Sequence, residues 1–415
     1  MSLPLLTSAP GKVIIFGEHS AVFNEPAIAA SVSSLRTYLL ITDSSDKDAI
    51  ELDFPDIGFD HKWYGGELAS VGEAIISAAL SKKNELGEEL VKALEGPLSK
   101  LKDNLHYHAA FCFLYMYLCL CGTRTGVKFT VKSTSPIGAG LGSSASIAVC
   151  LALGMGKLQG HIPEDNKPLS EEALEFVNKW SFIGEKCMHG TPSGIDNAVA
   201  TYGSAVLFQR SENGDTKFER ILDFPQMPMI LTDTRIPRST KVLVSGVRDF
   251  VTRQPSVAQP ILTSMGHLAT KGAEIISKLD DTNYDDLLEL VRVNHGLLVA
   301  LGVSHPGLEV IRSLSDTMGI GATKLTGAGG GGCALTLINK KTPPEEIEKF
   351  KRSLEENHKY RTFVTGLGGL GCCYVPATNF AESLDNVINL FHKDSTREEL
   401  DAMLLPKNGG LEWVY

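Results

Sequence analysis

Four short stretches of the chain carry residues whose types and spacing suit chemistry on a phosphate. The first is Pro136-Ile-Gly-Ala-Gly-Leu-Gly-Ser-Ser144, set between the alternating run Val127–Lys132 and the apolar stretch Ser143–Gln159. Glycines let backbone N–H groups approach an anion closely, and a helix opening at Ser143 adds its partial positive charge. The hydroxyls of Ser143 and Ser144 would then face a phosphate or a bound cation. This is not a Walker A loop, because no Gly-Lys-Ser/Thr follows, and Ser143 takes the third glycine place of G-x-G-x-x-G. A purely structural glycine turn is the alternative. The double serine opening a buried helix argues for the anion cradle.

The second stretch, Gly327-Ala-Gly-Gly-Gly-Gly332, does spell G-x-G-x-x-G. A dinucleotide fingerprint needs a strand before it and a helix after it, whereas Cys333-Ala-Leu-Thr-Leu-Ile338 reads as a strand. Close backbone packing beside the phosphate cradle explains four consecutive glycines; a flexible hinge is the competing explanation. The third, Ala9-Pro-Gly-Lys-Val-Ile-Ile-Phe-Gly-Glu-His19, puts Lys12 ahead of an apolar strand and His19 after a glycine. Lys12 either supplies positive charge to a phosphate site or is a solvated strand-edge lysine.

The fourth is Gly184-Glu-Lys-Cys-Met-His-Gly-Thr-Pro-Ser-Gly-Ile-Asp-Asn197. Glu185 falls in the last turn of a helix, where the dipole disfavours a carboxylate, and Asp196 in the first turn of the next, where it favours one. A divalent cation would compensate Glu185, and a short interhelical loop can fold both carboxylates toward one cleft. Two ordinary terminal charges are the plainer reading.

The elements that must hold these groups follow from periodicity. Strands are expected at Val13–Phe16, Thr37–Thr42, Val127–Lys132, Ala205–Gln209, Met229–Thr234, Ala334–Ile338 and near 361–365 and 370–375. Helices are expected near 106–121, at Ser143–Gln159, at Ser170–Met188 with Ser170 as N-cap, and at Gly194–Thr201. Further helices are expected at 240–253, 257–279, 284–301, 306–318 and 343–357, with a helical tail. Residues 60–105 read as charged and helical. Asn213-Gly214 and the prolines at 225 and 228 mark a boundary, giving domains 1–224 and 225–415.

A chain of 415 residues is longer than one core usually supports, which agrees with two domains. The formal charge of -10 argues against nucleic acid as a partner, since phosphate backbones are bound by excess Lys and Arg. The eight cysteines include no C-x-x-C pair and sit mostly in apolar runs, as buried reduced thiols do. No signal peptide is apparent, and the stretch 109–121 is too short to span a bilayer, so a cytoplasmic location is expected.

Together these segments resemble the superfamily named for galactokinase, homoserine kinase, mevalonate kinase and phosphomevalonate kinase. Its three motifs match, in order, the Lys12 segment, residues 136–145 and residues 327–332. Within it, the likeness is to the branch that acts on mevalonate, in its fungal form. Ala9–His19, His189–Asn197 and Lys324–Cys333 carry that likeness, which is weakest over 60–105 and 210–225. The Arg-x-Asn-x-x-Gly-Glu-His pattern of galactokinases does not occur at the first motif.

The resemblance implies an α+β fold with a mixed N-terminal β/α domain, a ferredoxin-like C-terminal domain and an active site between them. It implies ATP-dependent phosphorylation of the terminal hydroxyl of (R)-mevalonate, an early step of isoprenoid and sterol biosynthesis. Asp196 corresponds to the proton acceptor, and Lys12 to the lysine touching that hydroxyl, Asp196 and the ATP phosphates. Ser144 and Glu185 correspond to Mg2+ ligands. Asp56, Ser133, Gly138, Ala139, Gly140, Leu141, Gly142, Ser143, Ser144, Ala328 and Gly329 correspond to nucleotide contacts; Glu18, His19 and Thr240 surround mevalonate. A homodimer and inhibition by prenyl diphosphates are family expectations.

Phosphoryl transfer passes through a loose transition state, so positioning and charge neutralisation do most of the catalysis. A carboxylate beside a lysine and a helix start is a weak base, suited to taking a proton late. A kinase for phosphomevalonate or a sugar is the near alternative, opposed by His189–Asn197. A ligand-binding sensor built on the same scaffold would be expected to have lost Lys12, Glu185 or Asp196, and all three are present.

Overall fold

Alternation of the kind seen at Val127–Lys132 recurs along the chain and produces, among the described residues, one sheet of twelve strands. The computed structural model describes residues 2–415 except 69–70, 83, 137, 211–215, 222–223, 381–382 and 393. In the first half the strands are β1 (Leu5–Phe16), β2 (Ala27–Asp43), β3 (Ala49–Phe54), β4 (Phe59–Tyr64), β5 (Val127–Ser133), β6 (Ala205–Arg210) and β7 (Thr216–Ile221). In the second half they are β8 (Met227–Asp233), β9 (Gly321–Leu325), β10 (Cys333–Ile338), β11 (Arg361–Leu367) and β12 (Cys373–Val375).

The path is β4-β3-β5-β2-β11-β8-β10-β9, with β1 pairing β2 and β12, and β6 joining β2 to β7. The spine is β2. Its residues Thr37–Asp43 pair with β5, Ala27–Ala30 pair with β6, and Val32 meets Leu367 of β11. Strands from before and after Pro225 therefore share one sheet.

Helices Asn104–Cys121, Ser143–Gln159 and Glu171–His189 pack on one another, and the second also lies on β1 and β2. Local chemistry fixes their starts. Asp103 accepts hydrogen bonds from the Leu105 and His106 N–H groups at 2.9 and 3.0 Å, and Ser170 accepts one from Ala173 at 3.2 Å. Residues 110–121 are buried all round, as in a core helix rather than an amphipathic one. All eight cysteines are buried and free. None of the described helices is long and apolar enough to cross a membrane.

One expectation changes. Residues 60–105 open on a strand rather than a helix, because Phe59–Tyr64 alternates buried Phe59 and Trp63 with exposed residues and pairs antiparallel with β3. Helices there begin only at Gly65, with the longer ones at Glu73–Leu80 and Glu88–Leu98. The second glycine loop joins β9 to β10, an antiparallel pair with Leu325 opposite Ala334. It is a hairpin connection, which excludes a dinucleotide fold there. The Asn213-Gly214 turn lies outside the described residues.

The helical layer hangs on an aromatic cluster. Phe113, fully buried, lies 5.8 Å from Trp63, 5.6 Å from Tyr117 and 5.1 Å from Phe129, ring to ring. Phe113→Ala should lower unfolding free energy by about 3–5 kcal/mol in urea titration. An unchanged midpoint would show that this cluster does not hold the layer.

Candidate active site

The site starts from a slip in β1. Its register against β2 shifts between Pro10 and Gly11. A Cβ at Gly11 would sit 3.0 Å from the Leu141 carbonyl, so glycine there lets the first glycine loop come in. The Lys12 N–H then donates to that carbonyl at 2.8 Å. From this anchor the Lys12 ammonium reaches Asp196 at 3.2 Å and the Gly140 carbonyl at 3.4 Å. Gly142, at φ 71°, leaves room for both; a Cβ would lie 3.0 Å from Lys12 Cγ and 3.5 Å from the Asp196 carboxylate.

Asp196 sits in the first turn of helix Ile195–Tyr202, behind Gly194 in the left-handed conformation. Its side chain keeps 31% exposure, facing open space that can admit a substrate. Glu185 is its opposite. It is buried, and its Oε1 has no hydrogen-bond partner. Burial first and then the Asp196 charge push its carboxyl up to about 8, against the Ser144 hydroxyl and Lys12. The Ser144 hydroxyl also shares a 2.9 Å hydrogen bond with His189 Nε2, and burial holds His189 below the ordinary histidine range.

Lys12, Asp196, Ser144 and His189 line a cleft of about 1090 Å³. Its walls form two neighbourhoods. Phe54, Ile57, Leu105 and Ala109 make an apolar patch with Ser133 and His108. Lys12, His19, Asp196, Arg238, Thr240 and Ala328 make a polar one, and Gly138, Gly140, Leu141, Gly142, Ser143 and Ser144 of the first loop belong to the same cleft. Four expected residues lie off the lining. Glu185 is behind Ser144, and the Ala139 carbonyl is taken by Arg238. Gly329 packs against the Val303 carbonyl, which a Cβ would meet at 2.0 Å. Asp56 turns to Lys132 at 2.8 Å and to the Ser133 N–H at 2.7 Å.

Glu18 touches the cleft, yet its carboxylate is paired with Lys324 in a fully buried ion pair and accepts from Asn294 at 3.2 Å. His19 follows with φ 63°, a conformation that is costly for a non-glycine residue. Its Nε2–H donates to the Ala328 carbonyl at 2.9 Å, leaving Nδ1 without a partner. Burial keeps the ring below the ordinary histidine range, so it is neutral.

Arg238 escaped the sequence reading. Its guanidinium donates to the Ala139 carbonyl of the first loop at 2.8 Å and to the Gly331 carbonyl of the second at 3.1 Å. The glycines are shaped around it. A Cβ at Gly140 would lie 2.1 Å from it, and one at Gly332 2.0 Å. The only available signal was the glycines themselves, since 99 residues separate Arg238 from one loop contact and 93 from the other.

Comparison with known proteins decides the family. Residues 104–204 match the model of the GHMP kinases N terminal domain and residues 275–352 that of the GHMP kinases C terminal. The mevalonate kinase of Saccharomyces cerevisiae is 55% identical, over 100% of both chains. The chain belongs to the mevalonate kinase family of GHMP kinases. The Candida albicans mevalonate kinase is 44% identical over 92% of this chain and 93% of its own. The L. major mevalonate kinase solved in complex with R-mevalonate shares the fold at a TM-score of 0.64 and 22% identity, over 88% of this chain and 96% of that one.

Two measurements check this geometry for a member of the mevalonate kinase family. Gly332→Ala should push Arg238 off the second loop and cut kcat/KM by about tenfold or more, the equivalent of a lost charge-assisted contact. Gly138→Ala, where nothing lies within 4 Å of an added Cβ, should cost only backbone strain. Equal effects would sink the role of Arg238.

Glu185 also makes stability depend on pH. Its folded pKa of about 8 lies above the ordinary carboxylate value of 4.5, so the native state holds the extra proton between them. Its contribution is therefore complete below about 4.5 and is lost as pH rises through about 8. In chelator-treated protein, Glu185→Gln should gain stability relative to the parent as pH rises across that window. A pH-independent difference would contradict the burial of this carboxyl.

Proposed function

We propose that the chain transfers the terminal phosphoryl group of ATP to the terminal hydroxyl of (R)-mevalonate, giving 5-phosphomevalonate and ADP. The observation that carries this is the Lys12–Asp196 pair at 3.2 Å, set against the first glycine loop, with buried Glu185 beside it. The substrate hydroxyl attacks the γ-phosphorus, the bond to the bridging β–γ oxygen breaks, and the hydroxyl proton passes to Asp196. Asp196 is half-exposed to the cleft and so can reach that proton. Lys12 holds Asp196 in place and offers its ammonium to the transferring group. Backbone N–H groups of Gly138–Ser144 and the start of helix Ser143–Gln159 receive the remaining phosphate charge.

A divalent cation fits the residues present. Glu185 has an oxygen without a partner, lies close enough to Asp196 to feel its charge, and has a hydroxyl, Ser144, next to it. Glu185 and Ser144 would hold Mg2+, which would neutralise phosphate charge and let Glu185 ionise. His189 orients the Ser144 hydroxyl for that task.

The acceptor end is read by Arg238, His19 and Thr240, all on the cleft wall. His19, fixed through Ala328, presents a neutral ring whose Nδ1 can accept from a substrate hydroxyl. Arg238 keeps donors beyond its two loop contacts for an anionic group. Glu18 acts behind them by holding the end of β1 on Lys324. The apolar patch of Phe54, Ile57, Leu105 and Ala109 suits an adenine ring.

Coupled ADP release by purified protein should be stimulated by mevalonate and not by phosphomevalonate or galactose. No stimulation by mevalonate would overturn the assignment. Asp196→Ala should lower kcat by about 100-fold or more while ATP affinity stays nearly intact. Equal loss of both would remove Asp196 as the proton acceptor. Lys12→Met should damage turnover and ATP binding together.

A further inference from the structure

The C-terminal tail has no part in the chemistry above, yet it is tied to the nucleotide end of the cleft through one buried cation. Lys132, on β5, is 2% exposed. Its ammonium donates to the His392 carbonyl at 2.8 Å and pairs with Asp56 at 2.8 Å. The other oxygen of Asp56 accepts the Ser133 N–H at 2.7 Å. Ser133 lines the cleft, as do Phe54 and Ile57 on either side of Asp56. His392 lies in the tail between helices Leu384–Leu390 and Arg397–Leu404. A second tie lies next to it. Arg397 donates to the Ser34 hydroxyl at 2.8 Å, and the Ser34 carbonyl accepts from Thr134, the residue after Ser133, at 3.2 Å.

The tail itself is not a loose appendage. Val387, Phe391, Leu400, Leu404 and Trp413 are buried with Tyr38 and Leu40 of β2 in one cluster. A backbone carbonyl held by such a core is a fixed acceptor. A buried ammonium fixed by it in turn fixes Asp56, because removing either partner would strand a charge away from water.

We propose that Lys132 is a positioning residue through which the C-terminal tail sets the base end of the nucleotide cleft. It touches no reacting atom. Its carbonyl and carboxylate contacts hold Phe54–Ile57 and Ser133 at the distance an adenine ring needs, so the tail contributes to nucleotide affinity rather than to phosphoryl transfer. This rests on the reading that the apolar patch takes the base.

The test uses full-length protein. Lys132→Met should raise KM for ATP and the Kd for ADP by about tenfold, the effect of one lost charge-assisted contact, with kcat and KM for mevalonate changed less than twofold. Asp56→Asn, which keeps the acceptor for Ser133 but drops the charge, should do the same more weakly, and serves if Lys132→Met does not fold. In hydrogen exchange, ADP should slow the amides of 384–404 in the parent and not in Lys132→Met. Unchanged nucleotide affinity, or loss of kcat and both KM values alike, would overturn the proposal. If ADP protects the glycine loop but not Phe54–Ile57 in the parent, the placement of the base fails instead, and the coupling with it. Protection of Phe54–Ile57 without protection of the tail would reject the coupling alone.

Discussion

One ammonium group serves two carboxylates, and most of the architecture follows from keeping it where it can. Lys12 pairs directly with Asp196, while Glu185 lies buried nearby, feels the charge of both, and has an oxygen without a partner. Two carboxylates against one cation is an unfavourable balance in a buried place. Glu185 answers it by holding its proton, and Asp196 by staying partly in the cleft at a helix start. Moving Lys12 would upset both, and the chain prevents that with a backbone hydrogen bond to Leu141 and with glycine at 11 and 142. The positions that look like a nucleotide motif are also the packing around a lysine.

The two glycine loops obey a related constraint. Neither is an independent flexible turn, because Arg238 bonds a carbonyl of each. Carbonyls that accept from a guanidinium are pulled toward it, which leaves the opposite edges of their peptides, the N–H groups, facing other directions. In the first loop those groups can meet phosphate. A side chain at Gly140 or Gly332 would occupy the guanidinium's place, so the glycines answer a contact that is remote in sequence.

This also marks what could be read without coordinates. Helices Ser143–Gln159 and Glu171–His189 were legible because caps and breakers sit at their ends: Ser170 before one, Gly160 and Gly190 after them. Lys12 and Glu185 stand out because each breaks a local rule, a charge beside an apolar strand or a carboxylate at a helix C-terminus, and Asp196 because it opens the next helix after a short loop. The strand β9 was hidden, since all five of its residues are buried and Lys324 interrupts the apolar run. The strand β4 was hidden by charges on its outer face, which imitate a solvated helix. Arg238 leaves no mark in the sequence but the glycines shaped around it, because its contacts lie in two loops on either side of it. Asp56 is expected from the resemblance among the nucleotide contacts, but its partner, Lys132, reads as an ordinary alternating strand residue.

The buried Glu18–Lys324 pair shows the same logic at the acceptor end. Burial works against both charges, raising Glu18 and lowering Lys324 from their ordinary ranges. Such a pair contributes little net stability compared with apolar residues of the same size. Position is what it supplies. Lys324 is on β9 and also donates to the Ile14 carbonyl of β1 at 3.2 Å, while Thr326 and Ile14 exchange hydrogen bonds at 3.2 Å in both directions. The end of β1 is thereby fixed to the strand that leads into the second glycine loop. His19, one residue on, can then be held at positive φ with its ring on Ala328 of that loop. A residue in a costly conformation needs neighbours that over-determine it, and a charge that cannot leave its partner is well suited to do so. The same pairing joins the segment carrying Lys12 to the one carrying Ala328, so two walls of the cleft are held to each other.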